Sequence, residues 1–229
     1  SRVQNIQIPS NGLLVDKTIE RAAALLKRVR KARVCTGVSL DGPKEIHDDI
    51  RQNRRSFEQA ILCLQEFKKL KSQHPNLSVG VALTVNSANQ YVLDEFYRYV
   101  EEDLQPDAIT ITLTRGDPID PSLKNVDLTK YQVFSERVIR YRKAHRMSDG
   151  WKDRLVIAKE EETYRLIKQA AGATSRIAPC YGGELLGVLS ETGEVYVCET
   201  LEKSMGNVRD FDCDFGALWG AQQAREARS

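Results

Sequence analysis

Apolar residues in this chain recur in two rhythms, short runs of strand length and longer stretches with helical spacing. Residues 3–8 form an apolar-rich run closed by Pro9, Ser10, Asn11 and Gly12, which reads as a strand and a turn. From Asp16, an expected N-cap, Ile19, Ala22, Ala23, Leu26 and Val29 recur at helical spacing, and residues 33–40 return to strand character. That run stops on Ser39, Asp41, Gly42 and Pro43. A second helix follows Asn53 and Ser56, with Phe57, Ala60, Ile61, Leu64, Phe67 and Leu70 as its apolar stripe. Residues 77–85 are again a strand, closed by Asn86 and Ser87, with Asn89 as the expected cap of a helix carrying Leu93, Phe96, Tyr97 and Val100. Residues 108–113 make a fourth strand, followed by Thr114, Arg115, Gly116 and a helix with Tyr131, Phe134, Val138 and Tyr141.

Strands alternating with helices require crossover connections, so the expected fold is α/β with a parallel sheet and helices outside it. The strands are read as buried apolar runs whose carboxyl ends share one rim, where ligand-binding groups of such folds collect. The rim residues are then Ser10, Asn11, Ser39, Asp41, Asn86, Thr114 and Arg115. The pattern breaks around Met147 to Lys152. Beyond it come a helix over about residues 154–171, a β-hairpin of residues 185–189 and 195–198 turning at Glu191-Thr192-Gly193, and a short helix from about Leu218.

Composition adds mostly exclusions. With 34 basic and 32 acidic residues in 229 the formal charge is +2, so no field points to nucleic acid or a membrane surface. The longest uncharged window, residues 75–93, is too polar to span a bilayer. Five cysteines without small-scaffold spacing point to a reducing compartment, the cytoplasm, and to thiols used as ligands or core residues. Cys35 and Cys63 sit in a strand and beside a helix stripe and read as core. His47, His74 and His145 lack metal-site spacing.

Several short pieces, in this order, resemble the radical S-adenosylmethionine (radical SAM) enzymes with a cysteine-rich extension of SPASM or twitch type. They are Ser10-Asn11-Gly12; Ser39-Leu40-Asp41-Gly42 with His47-Asp48 and Arg51; and Cys180, Gly193 and Cys198 with Gly206-Asn207-Val208. The resemblance implies a partial (β/α)6 TIM barrel, of which residues 1–150 are the carboxyl-terminal part, followed over 151–229 by a linker helix and a truncated auxiliary-cluster domain. It implies a [4Fe-4S] cluster that cleaves S-adenosylmethionine (AdoMet) reductively to a 5′-deoxyadenosyl radical. It further implies a peptide or protein substrate, and an electron donor such as flavodoxin or ferredoxin. AdoMet would meet Asn11, Ser39, Asp41, Asn86 and Arg115, and Cys180 and Cys198 would begin the ligand set of an auxiliary [4Fe-4S] cluster. Arg51 reads instead as a structural partner of Asp41 or Asp48. The family's CxxxCxxC loop has no counterpart in residues 1–229. The chain is therefore expected to be the back part of a longer enzyme and inactive alone. The alternative is a degenerate, cluster-free barrel serving as a binding or scaffold module.

Overall fold

The structure, a computed structural model, describes residues 3–145, 150–201 and 203–228. The break expected around Met147 lies mostly on residues 146–149, outside the described residues. The chain divides into two compact units, residues 1–114 with 118–172, and residues 115–117 with 173–229.

The first unit is built on four parallel strands in sequential order, β1 (Asn5–Ser10), β2 (Arg33–Ser39), β3 (Leu77–Val85) and β4 (Ala108–Leu113). Between them run α1 (Val15–Arg28), α2 (Lys44–Ile50), α3 (Ser56–Lys71) and α4 (Leu93–Tyr99), with α5 (Leu128–Ala144) and α6 (Trp151–Ala171) after β4. This is the α/β arrangement of a partial barrel. The expected bounds of β3 and β4 are the observed ones, because turn-forming residues stop each apolar run at both ends. Alternation sorts the strand residues. Val34, Val38, Val79, Val81, Leu83, Val85, Ile109 and Ile111 join one core with Leu26, Leu64, Phe67, Phe96, Tyr97, Tyr131, Phe134 and Val138 from the helices. Each fully buried side chain of this kind stabilises the fold by about 1.5–3 kcal/mol.

The strands are nevertheless not buried on both faces, as their apolar character had implied. Register places Cys35, Gly37 and Ser39 beside Ser78, Gly80 and Ala82, and Gly80, Ala82 and Thr84 beside Ala108, Thr110 and Thr112. Apart from Arg33 at the start of β2, this second face carries only small or hydroxyl-bearing residues on β2 to β4. Ser39, Ala82, Thr84 and Thr112 are half-buried there, and Thr110, Gln7 and Pro9 are exposed. Gly12, at φ +76°, lets the turn after β1 close against α3, where a Cβ would fall 2.6 Å from Ala60 Cα.

The second unit holds a three-stranded antiparallel sheet, β5 (Val188–Leu189), β6 (Glu194–Tyr196) and β7 (Ser204–Asn207), in that order. The expected hairpin is thus shorter than its apolar runs and gains a third strand. Strand β7, Ser-Met-Gly-Asn, has one apolar residue, too few to show a period, yet its Met205 is buried against Val195, Val197 and Leu218. The terminal helix starts earlier than expected and is broken. Asp214 caps α7 (Phe215–Gly220) by accepting from the N–H groups of Gly216 and Ala217, and α8 (Gln222–Arg228) follows.

Candidate functional site

Parallel pairing brings the carboxyl ends of the strands to one rim. Ser10 lies opposite Val38, Ser39 opposite Ala82, and Val85 opposite Leu113. Loops beyond such ends carry the ligand groups of α/β sheets.

Asp41 is the most connected residue of this rim and is 1% exposed. Its Oδ2 accepts from Arg51 Nε at 2.8 Å and lies 2.6 Å from Arg51 Nη2, and its Oδ1 accepts from the N–H of Thr84 at 2.9 Å. The structural pairing expected of Arg51 is therefore made with Asp41. The backbone of Asp41 is equally engaged. Its N–H donates to His47 Nδ1 at 3.0 Å and its carbonyl accepts from Asn89 Nδ2 at 2.7 Å.

His47 is fully buried. Because Nδ1 accepts, the neutral ring carries its proton on Nε2, an atom without a hydrogen-bond partner among the described residues. The ring meets Phe57 in a T-shaped contact, with centroids 6.0 Å apart. Burial lowers the His47 pKa and the Arg51 charge lowers it further, while Asp41 and Asp48 pull the other way. Neighbouring Asp48 gathers the start of α3, accepting from Ser56 Oγ and the Phe57 N–H at 2.8 Å each, and it pairs with Lys44 at 2.8 Å. Burial opposes ionisation of Asp48, but the Lys44, Phe57 and Ser56 donors outweigh it and bring its pKa down to about 2.

Asn86 is 2% exposed and folds onto its own loop, its Oδ1 accepting from the N–H groups of Ala88 and Asn89. Asn89 is not a helix cap. Its amide donates to the carbonyls of Asp41 and Thr84 and accepts from the Asn86 N–H at 2.9 Å, and it is fully buried. Ser39, half-buried, makes no hydrogen bond through its hydroxyl among the described residues. Exposed Asn11 pins its turn by accepting from the Leu13 N–H at 3.1 Å. Within the first unit, then, Asn11 and Ser39 offer polar groups outward, while Asp41 and Asn86 are occupied in shaping the loops.

Arg115 belongs to the second unit, where it pairs with Glu199. The same unit holds Cys180 and Cys198. A Cβ on Gly182 would lie 3.4 Å from Cys180 Sγ and 3.5 Å from Cys198 Cβ, so both cysteines flank one glycine. The hydroxyl and N–H of Thr200 lower the pKa of the Cys198 thiol, favouring the thiolate that binds metal. All five cysteines are free thiols, and no group of three or more Cys, His, Asp or Glu converges among the described residues. Cys35 lies within β2 and Cys63 is buried on α3, so these residues do not fit the three-thiolate site of a radical-generating cluster. Cys180 and Cys198 are the two thiols that the second unit places on either side of Gly182.

In the sequence His47 stands out only as part of the resemblance and Asn89 only as a helix cap, and Thr84, Thr110 and Thr112 not at all. The threonines had a signal, the period-two alternation of Ala-Ile-Thr-Ile-Thr-Leu, whereas the roles of His47 and Asn89 show only through their partners. A cleft of about 500 Å³ lined by Lys71, Ser78, Gln105, Asp107, Tyr141 and His145 lies at the amino ends of β3 and β4, away from the rim.

No protein-family description and no curated relative matches the chain. Solved structures do. One of anSMEcpe, an anaerobic sulfatase-maturating enzyme, with AdoMet and the Kp18Cys peptide bound aligns with a TM-score of 0.58 at 20% identity, over 96% of this chain and 58% of that one. Another, with AdoMet alone, gives 0.58 at 21% identity over 96% and 57%. A third, with AdoMet and the Cp18Cys peptide, gives 0.56 at 20% over 96% and 58%. The chain thus spans less than two thirds of the length of these proteins. Over that span it shares the α/β fold of these anSMEcpe structures.

Proposed function

We propose that this chain supplies the AdoMet-binding strands of a radical SAM enzyme acting on a peptide or protein, and that residues 173–229 contribute to an auxiliary iron-sulfur site. The observation that carries the reading is the rim and uncovered sheet face of the first unit, polar and short in side chain, in a fold whose solved relatives hold AdoMet and, in two cases, a peptide. TIM-barrel interiors are ordinarily filled by layers of Val, Ile and Leu. Gly37, Gly80, Ala82 and Ala108 cannot fill one, and Ser39, Thr84, Thr110 and Thr112 add hydroxyls able to bind a ribose, an amino-acid group or a peptide backbone.

In this reading Asn11 and Ser39 meet AdoMet directly, and Asp41 and Asn86 act by fixing the loops around it. Arg115 is a further candidate for a carboxylate, for which a permanently charged guanidinium is suited. Bound AdoMet, once reductively cleaved, supplies a 5′-deoxyadenosyl radical for hydrogen abstraction. The reading requires the three cluster thiolates from outside residues 1–229 and electrons from a donor such as flavodoxin or ferredoxin. Cys180 and Cys198 would hold iron of an auxiliary [4Fe-4S] cluster as thiolates.

Calorimetry of the chain with AdoMet, followed by anaerobic reconstitution with iron and sulfide, tests this. AdoMet should bind, with affinity lowered about tenfold by Ser39→Ala, as expected for losing a polar contact to the ligand. The reconstituted chain should hold substoichiometric iron dependent on Cys180 and Cys198, and should release no 5′-deoxyadenosine under reduction. Absence of AdoMet binding, or binding indifferent to Ser39→Ala, overturns the site. Cysteine-dependent 5′-deoxyadenosine release by the chain alone overturns the ligand assignment.

A further inference from the structure

The loops after β2 and β3 start far apart in sequence yet share one buried side chain. Asn89 Nδ2 donates at 2.7 Å to the carbonyl of Asp41, 48 residues earlier, and at 2.8 Å to that of Thr84, while Oδ1 accepts from the Asn86 N–H at 2.9 Å. One planar group therefore provides two donors and one acceptor to three backbone atoms of two rim loops. Among side chains of this length only asparagine can do so, since aspartate has no donor when ionised and serine has one. The same two loops carry Ser39 at one mouth and Asn86 at the other, and Asp41 Oδ1 adds a bond from the Thr84 N–H.

We propose that Asn89 is a positioning residue of the AdoMet site, locking the mouths of β2 and β3 together so that Ser39 and the Asn86 loop meet the cofactor in a fixed geometry. The inference rests on the functional reading above, and its mechanical part stands apart from it. Without Asn89, the carbonyl of Asp41 loses its side-chain donor and that of Thr84 keeps only Asn86 Nδ2 at 3.4 Å, so the two mouths are held less firmly, by the bond from the Thr84 N–H to Asp41 Oδ1.

Asn76 provides the comparison. Its amide also ties two backbone carbonyls, Val29 at 3.1 Å and Ala32 at 2.8 Å, but at the amino end of β3. Asn89→Ser and Asn76→Ala should each lower stability in urea, and Asn89→Asp serves as a second, near-isosteric variant. In ligand-free protein, amide hydrogen exchange at Thr84 and Asn86 should quicken in Asn89→Ser and not in Asn76→Ala. AdoMet affinity should fall about tenfold in Asn89→Ser and stay within about twofold in Asn76→Ala, the former being the loss expected when a buried polar group goes unsatisfied. Equal exchange in the two variants overturns the lock. Equal affinity with unequal exchange overturns the positioning role. Failure of the unsubstituted protein to bind AdoMet overturns the functional reading and with it the role toward the cofactor, while the exchange comparison still decides the lock.

Discussion

Removing Arg51 should cost more than neutralising the acid it serves. Asp41 is almost wholly buried, with a side chain 2% exposed, whereas the Arg51 side chain is 31% exposed. Breaking a buried pair by deleting one partner costs about 3–5 kcal/mol, because the other charge is left uncompensated. Here the Thr84 N–H still serves Oδ1 and Arg51 is partly screened, so Arg51→Met is expected to cost about 2–4 kcal/mol, with the methionine keeping the packing of the stem. Asp41→Asn keeps an oxygen for Thr84 and lets Arg51 turn to solvent, for a loss of about 1–2 kcal/mol. The decisive quantity is the double variant. Once the carboxylate is gone no buried charge remains unpaired, so Asp41→Asn should partly rescue Arg51→Met, with a coupling of about 0.5–3 kcal/mol. Urea denaturation of the four proteins, read as midpoints at a common slope, measures this. A loss below about 1 kcal/mol for Arg51→Met, the value of an exposed pair, or strict additivity in the double variant, would refute the argument.

Two further outcomes follow from the same rim. Since the folded-state pKa of His47 is lowered from 6.5, the unfolded chain takes up a proton first as pH falls, and the His47 contribution to stability declines from about pH 6.5 down to its folded pKa, by at most about 1.4 kcal/mol per pH unit. His47→Asn retains an acceptor near Nδ1 and should flatten that part of the profile in urea melts at pH 5 to 7.5; an unchanged slope would assign it to other groups. Gly12→Ala should cost about 2–4 kcal/mol, combining a left-handed φ of +76° with a Cβ 2.6 Å from Ala60 Cα, whereas Gly37→Ala, whose Cβ would meet Ala82 Cβ at 3.5 Å, should cost less than about 1 kcal/mol. Equal melting losses for the two alanines would contradict the close approach.

The sequence by itself determined the order of strands and helices and the side on which the rim lies. Turn residues such as Pro75-Asn76, Asn86-Ser87 and Pro106-Asp107 bound the apolar runs locally, and four βα repeats leave a parallel sheet as the consistent outcome. It also contained the second sheet face, in the alternation of Ile109 and Ile111 with Thr110 and Thr112. Tertiary structure decided what each polar residue does. Asp41 looks the same in sequence whether it faces a ligand or an arginine. Its partners come from 10 residues later for Arg51, 43 for Thr84 and 48 for Asn89, and only the assembled sheet brings the last two within reach. Strand β7 was likewise a product of folding, because a single buried methionine carries no period that a local pattern can show.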